Sequence, residues 1–404
     1  MEKLLIVLTI ILAIFGIAQI AKVYQLSSEL QKRREEDISP KSNRVNGNLL
    51  LLFVLALFGF FIYHFVAFGD VLLPVAASEH GAAVDQLLNV NWVILFIVFF
   101  AVNFLLFFFS YKYVHSPNRK AYYFAHNNKL ELVWTIIPSL ALAFLIIYGL
   151  RTWNQVMEEP EDAMQVQLYG KQFDWTARYA GNDGELGETS YLLITGQNPL
   201  GLITNQTIDE KIAKLREDIA KDKEKLATEI MPDEKAEEME DGINSMKRQI
   251  AKILDFKRSN KDFTAAYDDI VVKGEFHLPI RKEVTFQINS RDVIHSAYMP
   301  HFRAQMNAVP GMTTKFSFKP TISTDSMQTI LEDEAFNYVL LCNKVCGSAH
   351  YNMQMNIIVE SEEQFQQWLS EQKPFVSPEE LKAIKESEED KVEEDGQLAQ
   401  KNGN

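Results

Sequence analysis

Four apolar stretches in the first 150 residues decide what this chain can fold into: residues 4–20, 49–68, 92–111 and 132–150. A bilayer core takes roughly 20 apolar residues of helix to cross, and each stretch approaches or reaches that length. The first follows a short basic start, as a secretory signal peptide does. Its hydrophobic length and the lack of a small-x-small cleavage site favour a retained span.

The loops between them set the orientation. Residues 22–44 and 112–129 are rich in Lys and Arg, whereas residues 69–91 contain neither. Positive loops stay in the cytoplasm. Four spans then place the N-terminus, the 69–91 loop and everything after residue 150 on the outer side. Cleaving the first span would put the basic 22–48 loop outside.

Beyond residue 150 the composition changes. The chain's formal net charge of −14 sits almost wholly in this later part. That argues against a nucleic-acid ligand and favours a basic partner on an acidic face. Residues 166–180 (VQLYGKQFDWTARYA) alternate in part and are aromatic-rich, as a strand is. Further strand-like runs fall at 269–272, 284–288, 313–318, 337–341 and 355–359, punctuated by Pro and Gly. Short strands with such turns predict a β-sandwich or barrel.

Residues 206–262 interrupt this pattern with dense Lys and Glu. Ile208, Ile212, Leu215, Ile219, Leu226 and Ile230 recur at helical spacing, and Met239, Ile243, Met246, Ile250 and Ile253 do so after Pro232. Two narrow seams predict an antiparallel helical hairpin, either a solvated excursion or a docking arm for another subunit. The tail from Ser377 is acidic and is expected to be partly disordered. The division expected is residues 1–90 (two N-terminal spans with a basic loop), 91–150 (paired spans), 151–200 and 266–372 (one β-domain), 201–265 (the inserted hairpin) and 373–404 (the tail).

The chemistry concentrates in residues 342–353, CNKVCGSAHYNM, which hold both cysteines of the chain. Two thiolates, an imidazole and a thioether are soft ligands that select copper over magnesium or calcium. A mononuclear blue-copper site uses one Cys, and a zinc site has little use for Met. Two bridging thiolates suit two copper ions. A CxxxC disulfide is the blander alternative, set against His350 and Met353 at metal-ligand spacing. A second histidine must come from elsewhere. His295, in RDVIHSAYMP, is the best placed, with His301 as runner-up and His277 in a strand-like surface stretch. In the membrane half, Glu131 stands at the cytoplasmic mouth of the last span. A carboxylate there either lines water, meets a partner or is solvated by headgroups.

CxxxCGxxHxxM, preceded by DVxHSxxxP about fifty residues earlier, with ExxWTxxP at 131–138 and QFDW at 172–175, resembles subunit II of haem-copper cytochrome c oxidases. The resemblance covers roughly 91–180 and 265–370. It implies a membrane-anchored all-β fold: transmembrane helices followed by a cupredoxin-like barrel or sandwich, here carrying the inserted α-helical hairpin. It implies a dinuclear copper A centre held by His295, Cys342, Cys346, His350, Met353 and the backbone carbonyl of Lys344. Electrons would arrive through the aromatic cluster of Phe173 and Trp175, and Glu131 would mark the mouth of a proton pathway.

The implied role is that of an electron-transfer subunit of a proton-pumping terminal oxidase. It would work in a bacterial cytoplasmic membrane with the copper domain on the periplasmic side. Its partners would be oxidase subunits I and III and a c-type cytochrome donor. No CxxCH occurs, so no c-type haem is fused to the chain.

Two departures stand out. Lys344 and Asn307 replace the Glu and Asp that in this family lie near a magnesium ion at the subunit I interface, which leaves that ion open and would let Lys344 pair with a carboxylate of subunit I. Phe173 replaces the usual Trp where electrons enter, consistent with a changed donor such as a cytochrome tethered in a larger complex. The related quinol-oxidase subunits lack the copper ligands. The nitrous-oxide reductase copper domain lacks the ExxWTxxP spans. The alternative carried forward is a membrane-anchored copper protein outside an oxidase.

Overall fold

Helix α1 (Glu2–Leu30) opens the chain, and Pro40 at the start of α2 (Pro40–Ala67) supplies the fixed φ and missing donor suited to a first helical turn. Ser39 caps α2 by accepting from the Ser42 N–H at 3.2 Å. α3 (Glu79–Lys112) and α4 (Asn128–Val156) follow, the latter capped by the Asn127 side chain, which accepts from the N–H groups of Lys129 and Leu130. The structure, a computed structural model, describes residues 2–30, 39–116, 118–259 and 261–384. The basic segment between the first two helices falls partly on 31–38, outside the described residues.

Among the described residues, α2, α3 and α4 are long and apolar enough to cross a membrane, and α1 contributes the shorter apolar stretch Ile11–Ser27. In the unit formed by residues 1–73 and 89–143, α2 and α3 meet through aromatic side chains. Phe53 meets Phe107 at 5.4 Å, Phe58 meets Phe100 at 4.7 Å and Phe61 meets Phe96 at 5.3 Å. The partners run in opposite order along the two helices, so the pair is antiparallel. Gly47 extends the seam, where a Cβ would stand 3.4 Å from the Tyr111 backbone.

The second unit comprises residues 74–88 and 144–404. It is a sandwich of two five-stranded sheets. One sheet runs β3 (Ile270–Lys273), β2 (Asp174–Tyr179), β1 (Met164–Lys171), β5 (Val284–Ser290), β8 (Thr314–Phe318). The other runs β4 (Glu275–Pro279), β10 (Gln354–Glu360), β9 (Tyr338–Cys342), β6 (His295–Met299), β7 (Ala304–Ala308). The sheets stay open at their edges, which settles the barrel-or-sandwich expectation as a sandwich. Two pairings are parallel, β1 with β5 (Leu168 opposite Ile288) and β10 with β4 (Ile357 opposite Phe276), and the remaining pairs are antiparallel. Trp175, Tyr179, Phe276, Phe286, Phe302, Phe318 and Tyr338 fill the space between. Fully burying each contributes on the order of 2–3 kcal/mol before the entropy of ordering is counted. α7 (Thr324–Leu331) and α8 (Glu362–Glu371) flank the sheets.

Residues 166–180 make two strands rather than one. The chain reverses between Lys171 and Asp174, which face each other in the β1–β2 ladder. Strands β6 and β7 add to the runs predicted from sequence, and β4 covers the strand-like stretch around His277. The 69–91 segment is also more than a loop. Ala77 is buried in the sandwich, donating its N–H to the His301 carbonyl at 2.7 Å and accepting from the Thr321 N–H at 2.8 Å. Arg303 then grips Asp85 through two hydrogen bonds of 2.8 and 2.9 Å.

The charged interruption is the expected hairpin, α5 (Asn205–Thr228) and α6 (Asp233–Arg258), with a capping box between Thr204 and Thr207. Its seam is buried from the base as far as Ile243. Ile208, Ile212, Leu215 and Ile253 are buried with Leu193, Ile203 and Phe263 in a small core of their own, while Ile230 at the tip is fully exposed. Residues 378–384 of the tail are helical, and the remainder of the tail expected to be disordered lies outside the described residues.

Candidate metal centre

The arms of the site come from two neighbouring interior strands of the second sheet, β6 and β9. His295 opens β6 and is fully buried. Cys342 closes β9, and the ladder sets it opposite Ala297 of β6. The Asn343 N–H then donates to the Ser296 carbonyl at 3.1 Å, stitching the start of the Cys loop to the histidine strand. The loop returns through a single 3-10 turn at His350–Asn352. Met353 follows, its carbonyl accepting from the Cys342 N–H at 3.0 Å.

These elements bring five side-chain donors together. Cys342 Sγ lies 3.8 Å from Cys346 Sγ and 3.8 Å from His295 Nδ1. Cys346 Sγ lies 3.6 Å from His350 Nδ1 and 3.8 Å from Met353 Sδ. The Lys344 carbonyl oxygen lies 3.2 Å from Cys342 Sγ. Each thiol therefore has its own imidazole, with a thioether beside one and a carbonyl beside the other. The ligand atoms of His295, Cys342 and Cys346 all lie within 4.8 Å of one another. Both cysteines are free, so the disulfide alternative does not describe this pair.

The donor chemistry fits copper. Two thiols, two imidazoles and a thioether are soft to borderline donors, and the described cluster offers no carboxylate to a hard cation. Cys342, Cys346, His295 and Met353 are buried, and His350 is half-buried. Burial, reinforced by the neighbouring Cys342 thiol, pushes the Cys346 thiol up to about 11. Metal loading must displace that proton, since the thiolate is the ligand.

Asp292 opens the DVxHS motif without an assigned role, yet it organises one arm. Its Oδ1 lies 2.8 Å from His295 Nε2, leaving Nδ1 to face the thiols. Such a carboxylate–histidine pair fixes the ring's orientation and raises its basicity as a ligand. Burial works against the Asp292 charge, but the Gln172 and Val293 N–H groups and the histidine hold the carboxyl below its ordinary value.

The other predicted residues sit as follows. Phe173 is half-buried against the Cys loop at Gly347. Trp175 is fully buried, its ring 6.0 Å from that of His295, with Gly170 leaving room for both. Glu131 lies in the first turn of α4, half-buried, accepting from the Asn127 N–H at 3.4 Å. The runner-up His301 is elsewhere, edge-on to Phe336 and Tyr338. His277 corrects a reading: it is buried, stacked on Trp368 at 4.0 Å, with Nδ1 2.7 Å from Glu360. Lys344 and Asn307 are exposed.

The chain is similar to several known proteins. The family model described as the transmembrane domain of cytochrome c oxidase subunit II matches residues 66–152, and that of its periplasmic domain matches residues 257–362. An alternative cytochrome c oxidase subunit 2 from Bradyrhizobium diazoefficiens is 29% identical over 320 residues, covering 77% of this chain and 90% of its own. A cytochrome c oxidase subunit 2 from Thermostichus vulcanus is 25% identical over 301 residues, covering 74% and 77%. One from Cereibacter sphaeroides is 24% identical over 271 residues, covering 67% and 69%.

Proposed function

Because the chain belongs to the cytochrome c oxidase subunit II family, we propose that its buried Cys-His-Met cluster is the copper A centre that receives electrons for the oxidase. The chain is a subunit of cytochrome c oxidase, and it pairs with subunit I as the family does. The alternative of a copper protein outside an oxidase is not favoured, because the family match spans the membrane helices as well as the outer domain.

In this reading His295, Cys342, Cys346, His350, Met353 and the Lys344 carbonyl hold two copper ions between them. The observation that carries it is the pairing of one imidazole with each of two free thiols 3.8 Å apart. A bound copper pair supplies a one-electron carrier whose charge is shared over both metals. The protein's own contribution is to exclude water with Met353 and Trp175, to aim His295 through Asp292, and to fix both thiols on the backbone. A centre held this rigidly changes little on gaining an electron, which suits fast transfer.

The finer assignments follow the same reading. Phe173 receives electrons from a c-type cytochrome, and Trp175 carries them toward His295. Glu131 opens a proton route into subunit I, and subunit III completes the assembly. The membrane is a bacterial cytoplasmic membrane crossed four times, with the sandwich outside. Lys344 replaces the charge of the magnesium ion with its own ammonium, paired to a carboxylate of subunit I. Metal analysis of the assembled oxidase tests that point: stoichiometric magnesium bound through this subunit contradicts it.

The function as a whole is tested by purifying the complex through this chain. Oxygen consumption with reduced cytochrome c, lost on Cys346→Ser while subunit I still copurifies, is the expected result. Full activity of that variant contradicts the proposal.

A further inference from the structure

Gln172 stands in the turn between β1 and β2, remote in sequence from every proposed ligand, yet it touches both arms of the centre. Its main-chain N–H donates to Asp292 Oδ2 at 2.8 Å, while the other oxygen of the same carboxylate holds His295. Its side-chain amide donates to the carbonyl of Cys346. A Cβ built on Gly347 would stand 2.9 Å from the amide nitrogen, so the amide is seated against the loop backbone.

The Cys loop needs such a support. Cys342 and Asn343 are held by the sheet through the Met353 and Ser296 carbonyls. Residues 344–349 belong to no strand. Among the described residues, the bond from Gln172 is the one hydrogen bond that reaches those six residues from another part of the chain. It arrives at Cys346 itself, whose thiol neighbours Cys342, His350 and Met353.

We infer that Gln172 is a positioning residue for the two-thiolate centre, locking the Cys346 end of the loop to the Asp292–His295 arm. The inference rests on the copper reading above and adds to it a residue that binds no metal. The β1–β2 turn thus acts as a bracket: the main chain of Gln172 serves the imidazole side and its side chain serves the thiolate side. Partners that orient metal ligands typically matter about 10–100-fold in metal affinity. Removing the amide frees the loop and removes an oriented donor beside the thiolates, so the electronic balance of the centre changes with the affinity.

The test uses the full-length chain in detergent, loaded with copper. Gln172→Leu keeps the side chain's bulk and removes both amide groups. Gln172→Asn keeps an amide one methylene too short to reach Cys346. Folding of each metal-free variant is checked by near-UV circular dichroism. Both variants are expected to bind copper about 10–100-fold more weakly in chelator competition. Both should also show unequal copper hyperfine coupling in electron paramagnetic resonance and a displaced midpoint potential. If the leucine variant does not fold, the asparagine variant decides. Wild-type affinity, hyperfine pattern and potential in a folded variant overturn the inference while leaving the copper reading intact. Absence of a two-copper signature in the wild-type chain removes the copper reading itself, and this inference with it.

Discussion

The ring of Phe173 lies on the backbone of Gly347: a Cβ built at Gly347 would come within 2.8 Å of two ring atoms. Phe173 therefore touches the loop immediately after Cys346. Gly347 has φ +143°, a backbone conformation that residues with a Cβ rarely adopt. Both the turn and the ring contact require glycine here.

Gly347→Ala is accordingly expected to cost on the order of 1–3 kcal/mol and to loosen the copper site, because the new methyl must displace Phe173 or the loop. Urea unfolding of metal-free and copper-loaded protein measures both effects. Unchanged stability together with unchanged copper affinity contradicts the contact.

Phe173→Ala removes the ring without adding atoms to the loop. The copper spectrum should persist while reduction by ferrocytochrome c slows by at least tenfold in stopped-flow mixing. An undiminished rate would place the point of electron arrival elsewhere.

Far from the metal site, Arg178 and Asp269 form a buried ion pair at 2.8 Å, with the Gly187 N–H also donating to Asp269. Burial outweighs Arg178 and lifts the Asp269 carboxyl to about 6. The folded domain then binds this proton more tightly than the unfolded chain, whose carboxyl titrates near 4. This group's contribution to stability is full below about pH 4 and is lost as pH rises through about 6, an effect of about 3 kcal/mol at most. Denaturation curves across that range should show the fall, and Asp269→Asn should flatten it. Arg178→Ala leaves a carboxylate buried without its partner and should cost about 3–5 kcal/mol.

The hairpin makes a separable claim. Its base is packed against Leu193, Ile203 and Phe263, whereas Ile230 at its tip is bare. Replacing residues 219–241 with a short turn should leave outer-domain stability within about 0.5 kcal/mol and leave copper binding intact. Weaker copurification of the other subunits would identify the tip as a docking arm, and loss of copper would contradict its independence from the centre.

The proposed copper ligands stand out in the sequence because their spacing is chemical. CxxxC with His and Met at short range leaves few alternatives, and His295 stood in a motif of its own. Apolar length made the spans equally readable. The residues that hold the ligands in place were less visible, because they act across pairings no local pattern announces. Gln172 and Asp292 meet only because β1 and β5 lie side by side in parallel. The reversal at Gln172 lacks the Asn-Gly or Asp-Gly signal of a tight hairpin, so residues 166–180 read as one strand. Ala77 sits in the unremarkable segment PVAAS, and only the fold shows it buried between His301 and Thr321. His277 looked superficial because its covering residue, Trp368, lies far along the chain.

The central claim is that Cys342 and Cys346 bridge two metals rather than serving one. Electron paramagnetic resonance of the copper-loaded wild-type chain, read beside its copper-to-protein ratio, tests this most directly. Two coppers per chain, with one unpaired electron coupled to both nuclei and that pattern lost in Cys342→Ser and Cys346→Ser alike, is the result predicted. One copper per chain with coupling to a single nucleus, surviving in either serine variant, would contradict it.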